Sequence, residues 1–540
     1  MAGCGRQTGD GGFVPGVGQF AGDGQAYTRD NMTISVGLES FYSFDDPMAV
    51  IISDRLGFNI FPADVSHHDD EWLEQLAAAD ALPDILGVDI SSRLFNEWVL
   101  GGVVRSIPSD FTIYYPNVSD IMTNSDELAA LSRIYGRGYL FIPSGKGEAA
   151  DSGRIYYRKD WVRTPPDTAG EFLSVLEDIS GSVTGGRVNT VGITLSGGVT
   201  YIMSLFGTDP ESWVYENDEW IPAYYSYKMI AGLSYARALY QSGALDGEYT
   251  FMRTNTVIGK FSTGIAGSMI RHGDAFWMHR IYSSFAAENG ISMHEAQENH
   301  IAILPPPSVI EIDPSYELDV GEVITNEDML EILVGITGTN NFYQRQRYWP
   351  RSVDTVGYVI PSHVQNDKLF YILSLVNFIL SEEAQNLAYF GINGVTSGTS
   401  GDGARQLYIN PKTQQPFDIV TEYPASRLLH LMEPSQSRLA EWDTDVPSPM
   451  PPSVKDALNN AAIIYGNAAI DEGDGFLIRF IRTPAKDEIE ETIDYIAMFN
   501  SIVTSDLTVE DHFNHLRLEC ERLNIRAAID EVNEIMNTIR

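Results

Sequence analysis

The sequence is poor in cysteine, poor in basic residues and free of long apolar runs. It has 35 Lys and Arg residues against 74 Asp and Glu residues, which gives a formal net charge of -39 at pH 7. Nucleic-acid sites need basic surfaces, so this balance argues against nucleic acid as a partner, and it also disfavours electrostatic docking on anionic lipid. No stretch approaches the roughly 20 apolar residues that cross a bilayer.

The two cysteines, Cys4 and Cys520, lie in different surroundings. Cys520 follows the apolar pattern of Leu516 and Leu518, which predicts a position in the core. The opening residues Met1-Ala2-Gly3-Cys4 resemble a bacterial lipobox, in which the cysteine becomes the first residue of the mature protein and carries a lipid. If Cys4 is acylated, Cys520 is a lone thiol and no disulfide framework exists.

The residues that follow Cys4 support the lipid hypothesis. Residues 5–30 contain many glycines, few apolar side chains and no periodicity, so residues 1–30 are predicted to be a lipobox remnant and a flexible tether. The expected product is a lipoprotein made with a signal peptide and held at the outside of the cell membrane by its lipid alone. The alternative is an ordinary disordered N-terminus that happens to contain one cysteine.

The length of the chain indicates how many lobes it forms, and its aromatic content indicates which ligands it could bind. At 540 residues it is too long for one compact core, so two or more lobes are expected. It has 27 Tyr, 24 Phe and 8 Trp residues, many of which must pack inside. Sites for flat, hydroxylated molecules also use such rings, because the face is apolar and Tyr and Trp add a polar edge.

Apolar periodicity predicts alternating strands and helices, with a helical end from about residue 487. Strands are predicted at residues 32–38, 58–62, 83–88, 154–161, 301–307 and 355–360, and helices at 48–56, 70–79, 171–179, 227–242, 368–380 and 382–390. The early alternation predicts an α/β fold with a doubly wound βαβ sheet.

Four segments in this order carry a family resemblance. They are Leu82-Pro83-Asp84-Ile85 through Asp89; Tyr156-Tyr157-Arg158-Lys159-Asp160-Trp161 with Pro165 and Phe172; residues 213–220 and 239–243 with Phe261, Gly264, Gly267 and Met269; and Glu382-Glu383-Ala384 with residues 389–394. Together they resemble an extracellular solute-binding protein of a carbohydrate ABC importer (family 1 type), and in particular the large lipoproteins similar to LipO and the alginate-binding proteins. The resemblance covers nearly the whole chain after the tether.

The resemblance implies a two-lobe, periplasmic-binding-protein-like (type II) α/β fold with a hinged cleft. Lobe 1 would comprise residues 31–150 and 305–392, and lobe 2 residues 151–304 and 393–540. The implied function is capture of an oligosaccharide by lobe closure and its delivery to ABC permease subunits, by a monomer with no catalysis and no cofactor. Many members have an acidic calcium-type loop where this chain reads Gly181-Ser182-Val183-Thr184-Gly185-Gly186, so no metal is carried over.

The same resemblance indicates four ligand-binding residues. Trp277 matches the tryptophan that stacks on sugar in maltose-type proteins, and Asp89 is similar in place to the acid that holds sugar hydroxyls there. Trp213 and Tyr215 match the region of the aromatic platform of the second lobe. The alternatives are lobe packing for Trp277 and a helix N-cap or loop acid for Asp89.

Five further residues are candidates because of their chemistry and position. Arg271 and Asp274 lie in the loop that precedes Trp277, and Tyr42 lies in the first strand-to-helix loop. Arg347 and Trp349 belong to a basic, aromatic patch that suits an acidic sugar such as a uronate, by bidentate carboxylate pairing. Core packing for Tyr42, and solvated charge or surface ion pairs for the others, are the alternatives.

Two other classes of function are alternatives to solute capture. A glycosidase or lyase is one alternative, although no motif indicates one, and a binding protein for a non-sugar solute such as a peptide or polyamine is the other. His294 and His300 are six positions apart, too far for the zinc-protease helix motif, and His67-His68-Asp69-Asp70 is predicted to be a solvated loop with acids that open a helix.

Overall fold

The computed structural model divides the chain into two compact units. Unit 1 combines residues 1–148 with 353–449, and unit 2 combines residues 149–352 with 450–540. The structure describes residues 32–38, 42–66, 69–145, 153–181, 190–196, 198–273, 275–312, 343–348, 355–399, 405–408, 410–412, 417, 419–434, 463–465, 467–470 and 473–539.

Strands and helices are interspersed along most of the chain, and helices dominate its C-terminal end. The strands are β1 Thr33–Leu38, β2 Asn59–Asp64, β3 Leu86–Asp89, β4 Ile142–Pro143, β5 Gly153–Arg158, β6 Val191–Thr194, β7 Trp213–Glu216, β8 Glu219–Pro222, β9 Ala266–His272, β10 Ile301–Leu304, β11 Val309–Ile312, β12 Tyr343–Gln346, β13 Val356–Val359, β14 Ser397–Thr399 and β15 Arg405–Leu407. The α-helices are α1 Pro47–Leu56, α2 Asp70–Ala78, α3 Arg93–Gly101, α4 Ser109–Thr112, α5 Pro116–Thr123, α6 Asp126–Tyr135, α7 Ala169–Gly181, α8 Thr200–Ser204, α9 Met229–Gln241, α10 Thr254–Ser262, α11 Ala275–Asn289, α12 Met293–Glu295, α13 Asn366–Ile379, α14 Glu382–Phe390, α15 Ile419–Glu422, α16 Pro484–Thr492, α17 Tyr495–Thr504, α18 Val509–Arg522 and α19 Ile525–Ile539.

The sheet of unit 1 begins with the predicted βαβ arrangement. Strands β1 and β2 pair in parallel from Thr33 opposite Asn59 onwards, and an isolated parallel bridge joins Val36 to Ile85, just before β3. Helix α1 between them begins at the N-cap Asp46, whose carboxylate accepts from the backbone N–H of Met48 at 2.7 Å. A separate three-stranded sheet follows in the order β3-β13-β4, in which β13 runs antiparallel to both β3 and β4.

A buried carboxylate fastens the elements of unit 1 together. The side chain of Asp84 is 5 % exposed, accepts from the backbone N–H and the hydroxyl of Ser35 at 2.7 and 2.8 Å, and pairs with the ammonium of Lys368 at 2.7 Å. It therefore ties β1, the chain before β3 and helix α13 together with charge-assisted hydrogen bonds.

Unit 2 is built on a four-stranded sheet in the order β10-β5-β9-β6, in which β6 and β9 are parallel and the other pairs antiparallel. The hydroxyl of Tyr465 donates to the carbonyl of Leu304 at 2.6 Å and accepts from the backbone N–H of Ile155 at 2.9 Å. It thus fastens β10 to β5. On one side of the sheet α10 and α11 bury a cluster that includes Phe261, Met269 and Phe285.

The helical C-terminal end is confirmed, and its helices pack on unit 2. Helix α16 packs against α19, α17 against α9, and α19 against β8. The side chain of Asn533 accepts from the backbone N–H of Trp220 and donates to its carbonyl, at 2.8 and 2.9 Å. Cys520 is fully buried on α18, as its apolar spacing predicts.

The chain boundaries differ from the predicted ones at two places. The predicted change of lobe at residues 304/305 lies inside unit 2, because β11 pairs with β12 and Ser308 hydrogen-bonds to the Asp167 carbonyl. The predicted change at 392/393 lies inside unit 1, because the 3₁₀ helix Pro424–His430 packs on α14 and α1. The boundary predicted at 150/151 is close to that observed at 148/149.

None of the helices within the described residues has the length and apolar character required to span a bilayer.

Candidate functional site

The best-formed candidate site lies at the carboxyl ends of the parallel strands of unit 2. Strand β6 ends at Thr194 and β9 at His272, and the two run side by side in parallel. The connection after β6 leads into α8 and that after β9 into α11, so Tyr201 and Trp277 follow adjacent strand ends. Ligands of open α/β sheets bind at this kind of edge.

Trp277 is the centre of an aromatic and cationic group at this edge. Its indole is half-buried and packs against the cluster under α10 and α11. The guanidinium carbon of Arg271 lies 4.7 Å from the ring centre and that of Arg280 lies 5.4 Å from it. The His272 ring stacks on the indole with centroids 5.9 Å apart. The predicted neighbours Arg271 and Trp277 are therefore brought together.

A second stacked arginine lies on the neighbouring strand. Arg154 of β5 is opposite Arg271 of β9 in the antiparallel register, so both side chains leave the same face of the sheet. Arg154 is buried, with its guanidinium carbon 4.2 Å from the centre of the Tyr465 ring. Arg280 is half-exposed and donates to the side-chain oxygen of Asn255 at 2.7 Å.

Tyr201 is a further candidate residue at this edge that sequence reasoning missed. Burial, followed by the charge of Glu211, raises the pKa of its hydroxyl, whereas a hydrogen bond with the Gly153 backbone and the charge of Arg271 lower it. A Cβ atom on Gly153 would stand 2.8 Å from the Tyr201 ring, so only glycine fits there without a shift. An aromatic residue just after a Gly-containing loop at a strand end is the sequence signal that points to Tyr201.

The two candidates of unit 1, Asp89 and Tyr42, have different surroundings. Asp89 ends β3, half-buried, and its carboxylate accepts from the backbone N–H and hydroxyl of Ser91 at 2.9 and 2.6 Å, which is the loop role held as the alternative. Burial, then the charge of Asp89, raises the pKa of Asp70, so the two carboxyls are neighbours at this edge. Tyr42 is 4 % exposed, and burial raises the pKa of its hydroxyl, which corresponds to the core alternative.

Of the two residues predicted to form an aromatic platform, one is buried and one is exposed. Trp213 is buried on β7, with Tyr215 exposed on the same strand. The Tyr215 ring meets the Trp220 ring edge-on, with centroids 5.2 Å apart. Trp213 therefore occupies the packing role, whereas Tyr215 has a surface that a ligand can reach.

Arg347 is engaged within its own unit. Its guanidinium forms an ion pair with Asp167 and donates to the Pro306 carbonyl, which is the ion-pair alternative for this residue. Outside the described residues lie Asp274, Trp349, Cys4 and the His67-His68 pair. Most of the loop at residues 181–186, which stands in place of the calcium-type loop, also lies outside them.

These side chains can bind and orient a ligand through rings and fixed hydrogen-bond donors. Across the described part of the chain, no group of three or more His, Cys, Asp or Glu side chains is placed to hold a metal ion. His294 instead pairs with Glu298 at 3.3 Å, one helical turn away.

Comparison with known proteins gives matches at the level of structure alone. No protein-family model matches the sequence, and no curated protein matches it. The chain is similar to the alginate-binding protein AlgQ2, with TM-score 0.60, 14% identity, and coverage of 94% of this chain and 98% of that one. It is similar to FusA, an ABC-transporter substrate-binding protein of S. pneumoniae solved with kestose, with TM-score 0.60, 14% identity and coverage of 94% and 99%.

A third similar structure is an HMO-binding solute-binding protein associated with an ABC transporter, from Bifidobacterium longum infantis. It has TM-score 0.58 and 12% identity, with coverage of 93% of this chain and 98% of that one. All three matches extend over almost the full length of both chains. The chain therefore has the fold of the solute-binding proteins of ABC transporters.

Proposed function

We propose that this protein captures an oligosaccharide and presents it to an ABC transporter. The proposal rests on a solute-binding-protein fold that covers 94% of the chain. In this fold Trp277 and the stacked Arg271 lie at the carboxyl ends of parallel strands, where open α/β sheets bind ligands. The proteins of this fold named above bind alginate, HMO and kestose. The same class of ligand suits the rings and donors of unit 2.

A carbohydrate needs flat apolar walls for its C–H faces and fixed polar groups for its hydroxyls. Trp277, Tyr201 and the exposed Tyr215 supply ring surface, and Arg271 and Arg280 supply donors. Micromolar capture requires about 8 kcal/mol of net binding free energy. Ring contacts worth about 1 kcal/mol each and charge-assisted hydrogen bonds worth about 1.5–3 kcal/mol each can together reach this value.

The proposal also covers the location of the protein, its membrane anchor and its partner. We expect a monomer outside the cell, anchored to the membrane through a lipid on Cys4 and working with ABC permease subunits. The lipobox-like opening and the glycine-rich residues 5–30 support the anchor. Mass spectrometry of the membrane-bound protein, with a Cys4→Ser variant as control, tests it: a lipid adduct on Cys4 is expected in the first and absent in the second.

Closure of the two units on the ligand stays a prediction from the family resemblance. Small-angle X-ray scattering with and without saturating ligand measures it, and a decrease in the radius of gyration is expected. An unchanged scattering curve at saturation would contradict closure but not capture.

Calorimetry against a panel of neutral, acidic and sulfated oligosaccharides, peptides and polyamines tests the function itself. We expect micromolar or tighter binding to a saccharide and none to the peptides or polyamines. Chromatography of the same saccharides after prolonged incubation is expected to show no product. Turnover would mean a carbohydrate-active enzyme instead, and preferential binding of a peptide or polyamine would mean a binding protein for another solute class.

A further inference from the structure

The surroundings of Trp277 bear on the chemical class of the ligand. Two guanidinium carbons and the His272 ring centre all lie within 5.9 Å of the indole centre, and the indole also packs on the core cluster. A sugar that stacks on an indole needs ring surface that these groups already approach. Trp277 therefore has a second role beside its ring surface, because it holds guanidinium groups against its ring.

Positive charge is concentrated at this edge of the sheet. Arg154 and Arg271 occupy opposed positions on one face, and Arg280 joins Arg271 at the indole. Three arginines therefore lie at this edge, two on paired strands and Arg280 on α11. They lie together with Glu211 and Asp209, whose charges add to the effect of burial in raising the pKa of Tyr201.

We propose that the ligand is an anionic oligosaccharide, whose ring carboxylate or sulfate groups are bound by the guanidinium groups of Arg271 and Arg280. This inference rests on the proposed function and narrows its substrate class. A guanidinium stacked on a ring keeps its N–H donors in its own plane, directed past the ring edge. Those donors match the paired oxygens of a carboxylate or sulfate, in the bidentate geometry that lysine does not provide.

The ligand test compares oligosaccharides matched in length and linkage that differ only in charge: a neutral form, its uronate form and its sulfated form. Calorimetry with the full chain is expected to show at least tenfold tighter binding of an anionic form than of the neutral one. Its affinity is expected to fall as sodium chloride rises from about 0.05 to 0.5 M, because salt screens the attraction. The uronate and sulfate arms show which anion the site prefers, and either preference supports the proposal.

The site test uses Arg271→Gln and Arg280→Gln, with Arg522→Gln as a control of equal charge change. Arg522 is also in unit 2, and its side chain is 73% exposed and paired with Glu519 at 2.8 Å. Each site variant is expected to lose at least tenfold more affinity for the anionic oligosaccharide than for the neutral form, while the control leaves both affinities unchanged. If Arg271→Gln melts early, the half-exposed Arg280 decides the test.

Two results would overturn the inference and are distinguishable. Tighter binding of the neutral oligosaccharide would remove the anionic class, and anionic binding that both site variants leave unchanged would remove the role of Arg271 and Arg280. Either result leaves saccharide capture standing. Binding of none of the saccharides would remove the proposed function as well.

Discussion

The guanidinium carbon of Arg271 lies 4.7 Å from the centre of the Trp277 indole, six residues further along the chain. The arrangement follows from the fold: Arg271 is near the end of β9 and Trp277 is in the first turn of α11. The indole orients Arg271 and Arg280 together, and a stacked cation of this kind is worth about 0.5–2 kcal/mol.

Trp277→Ala is therefore expected to weaken binding of the identified oligosaccharide about 5- to 30-fold, the equivalent of about 1–2 kcal/mol of lost ring and cation contacts. Calorimetry measures the affinity. Trp161→Ala is a matched control, since Trp161 is also half-buried in unit 2 and stacks on an arginine, Arg158, at 4.6 Å. It is expected to reduce stability by about 1–3 kcal/mol and leave affinity unchanged.

An unchanged affinity in Trp277→Ala would mean that the ligand does not use this edge of unit 2. Equal losses of affinity in both variants would mean that Trp277 acts only by supporting the unit.

Gly153 is predicted to be required for the position of Tyr201. A Cβ atom at residue 153 would lie 2.8 Å from the Tyr201 ring and 3.1 Å from the Cγ2 atom of Ile270. Gly153→Ala must therefore move the ring, at a cost of about 1–3 kcal/mol in the free energy of unfolding, and ligand affinity is expected to fall with it. Urea unfolding and calorimetry measure the two effects.

Gly247→Ala is the control, because a Cβ atom there meets nothing within 4 Å. It is expected to leave affinity unchanged and stability equal or up to about 1 kcal/mol higher, since alanine restricts the unfolded chain. Wild-type affinity and stability in Gly153→Ala would show that Tyr201 relaxes at no cost and does not contact the ligand.

Local patterns predicted six strands, six helices and the helical C-terminal end, which is a part of the elements of this fold. Helix α2 lies at Asp70–Ala78 against a prediction of 70–79, because acids at the start of a helix and apolar spacing are local signals. The pairing of β11 with β12 was not predicted, because it joins residues more than 30 positions apart through backbone hydrogen bonds. The two displaced chain boundaries follow from such non-local contacts.

The same reason explains the outcome at the candidate site. Arg271 and Trp277 are close in sequence, so their contact follows from one strand end and one helix start. Tyr201 lies at the same edge only because β6 pairs in parallel with β9. The sequence of β6 does not indicate which strand it pairs with. The sequence does not show that Arg347 has an ion-pair partner, because that partner, Asp167, lies 180 positions earlier.

Asp160 is predicted to make stability fall in acid. It accepts from Nε and Nη2 of Arg158 at 2.8 and 2.6 Å and meets Nδ1 of His300 at 3.1 Å. Burial raises the pKa of Asp160, but the hydrogen bonds and charges of Arg158 and His300 outweigh it and lower the pKa overall. The unfolded chain thus binds this proton at a higher pH than the folded one.

The contribution of Asp160 is therefore complete above its unfolded pKa of about 4 and is lost as the pH falls through its lower folded pKa. Asp160→Asn is expected to lower the free energy of unfolding by about 1.5–3 kcal/mol at pH 7. The difference from the wild type should shrink below about pH 4. Urea unfolding at a series of pH values measures it, and a difference independent of pH would contradict the assigned shift.

Cys520 is predicted to be inert to thiol reagents in the folded protein. Its side chain is fully buried on α18, and burial is the main cause that raises the pKa of its thiol to about 12. The thiolate is the reactive form, so at pH 8 both access and ionisation are suppressed. In a Cys4→Ser background, which leaves Cys520 as the single thiol, a chromogenic disulfide reagent is expected to react only as fast as the protein unfolds.

Unfolding in urea should release one thiol per chain, and the native rate should rise steeply with temperature, as unfolding rates do. Leu518→Ala, two residues away and 60% exposed, is the control and is expected to leave the native labelling rate unchanged. Rapid labelling at 25 °C in native buffer would mean that α18 opens locally, without unfolding of the whole unit. The rate in destabilised variants such as Asp160→Asn then separates the two routes, because global unfolding accelerates with the loss of stability and a local opening of α18 does not.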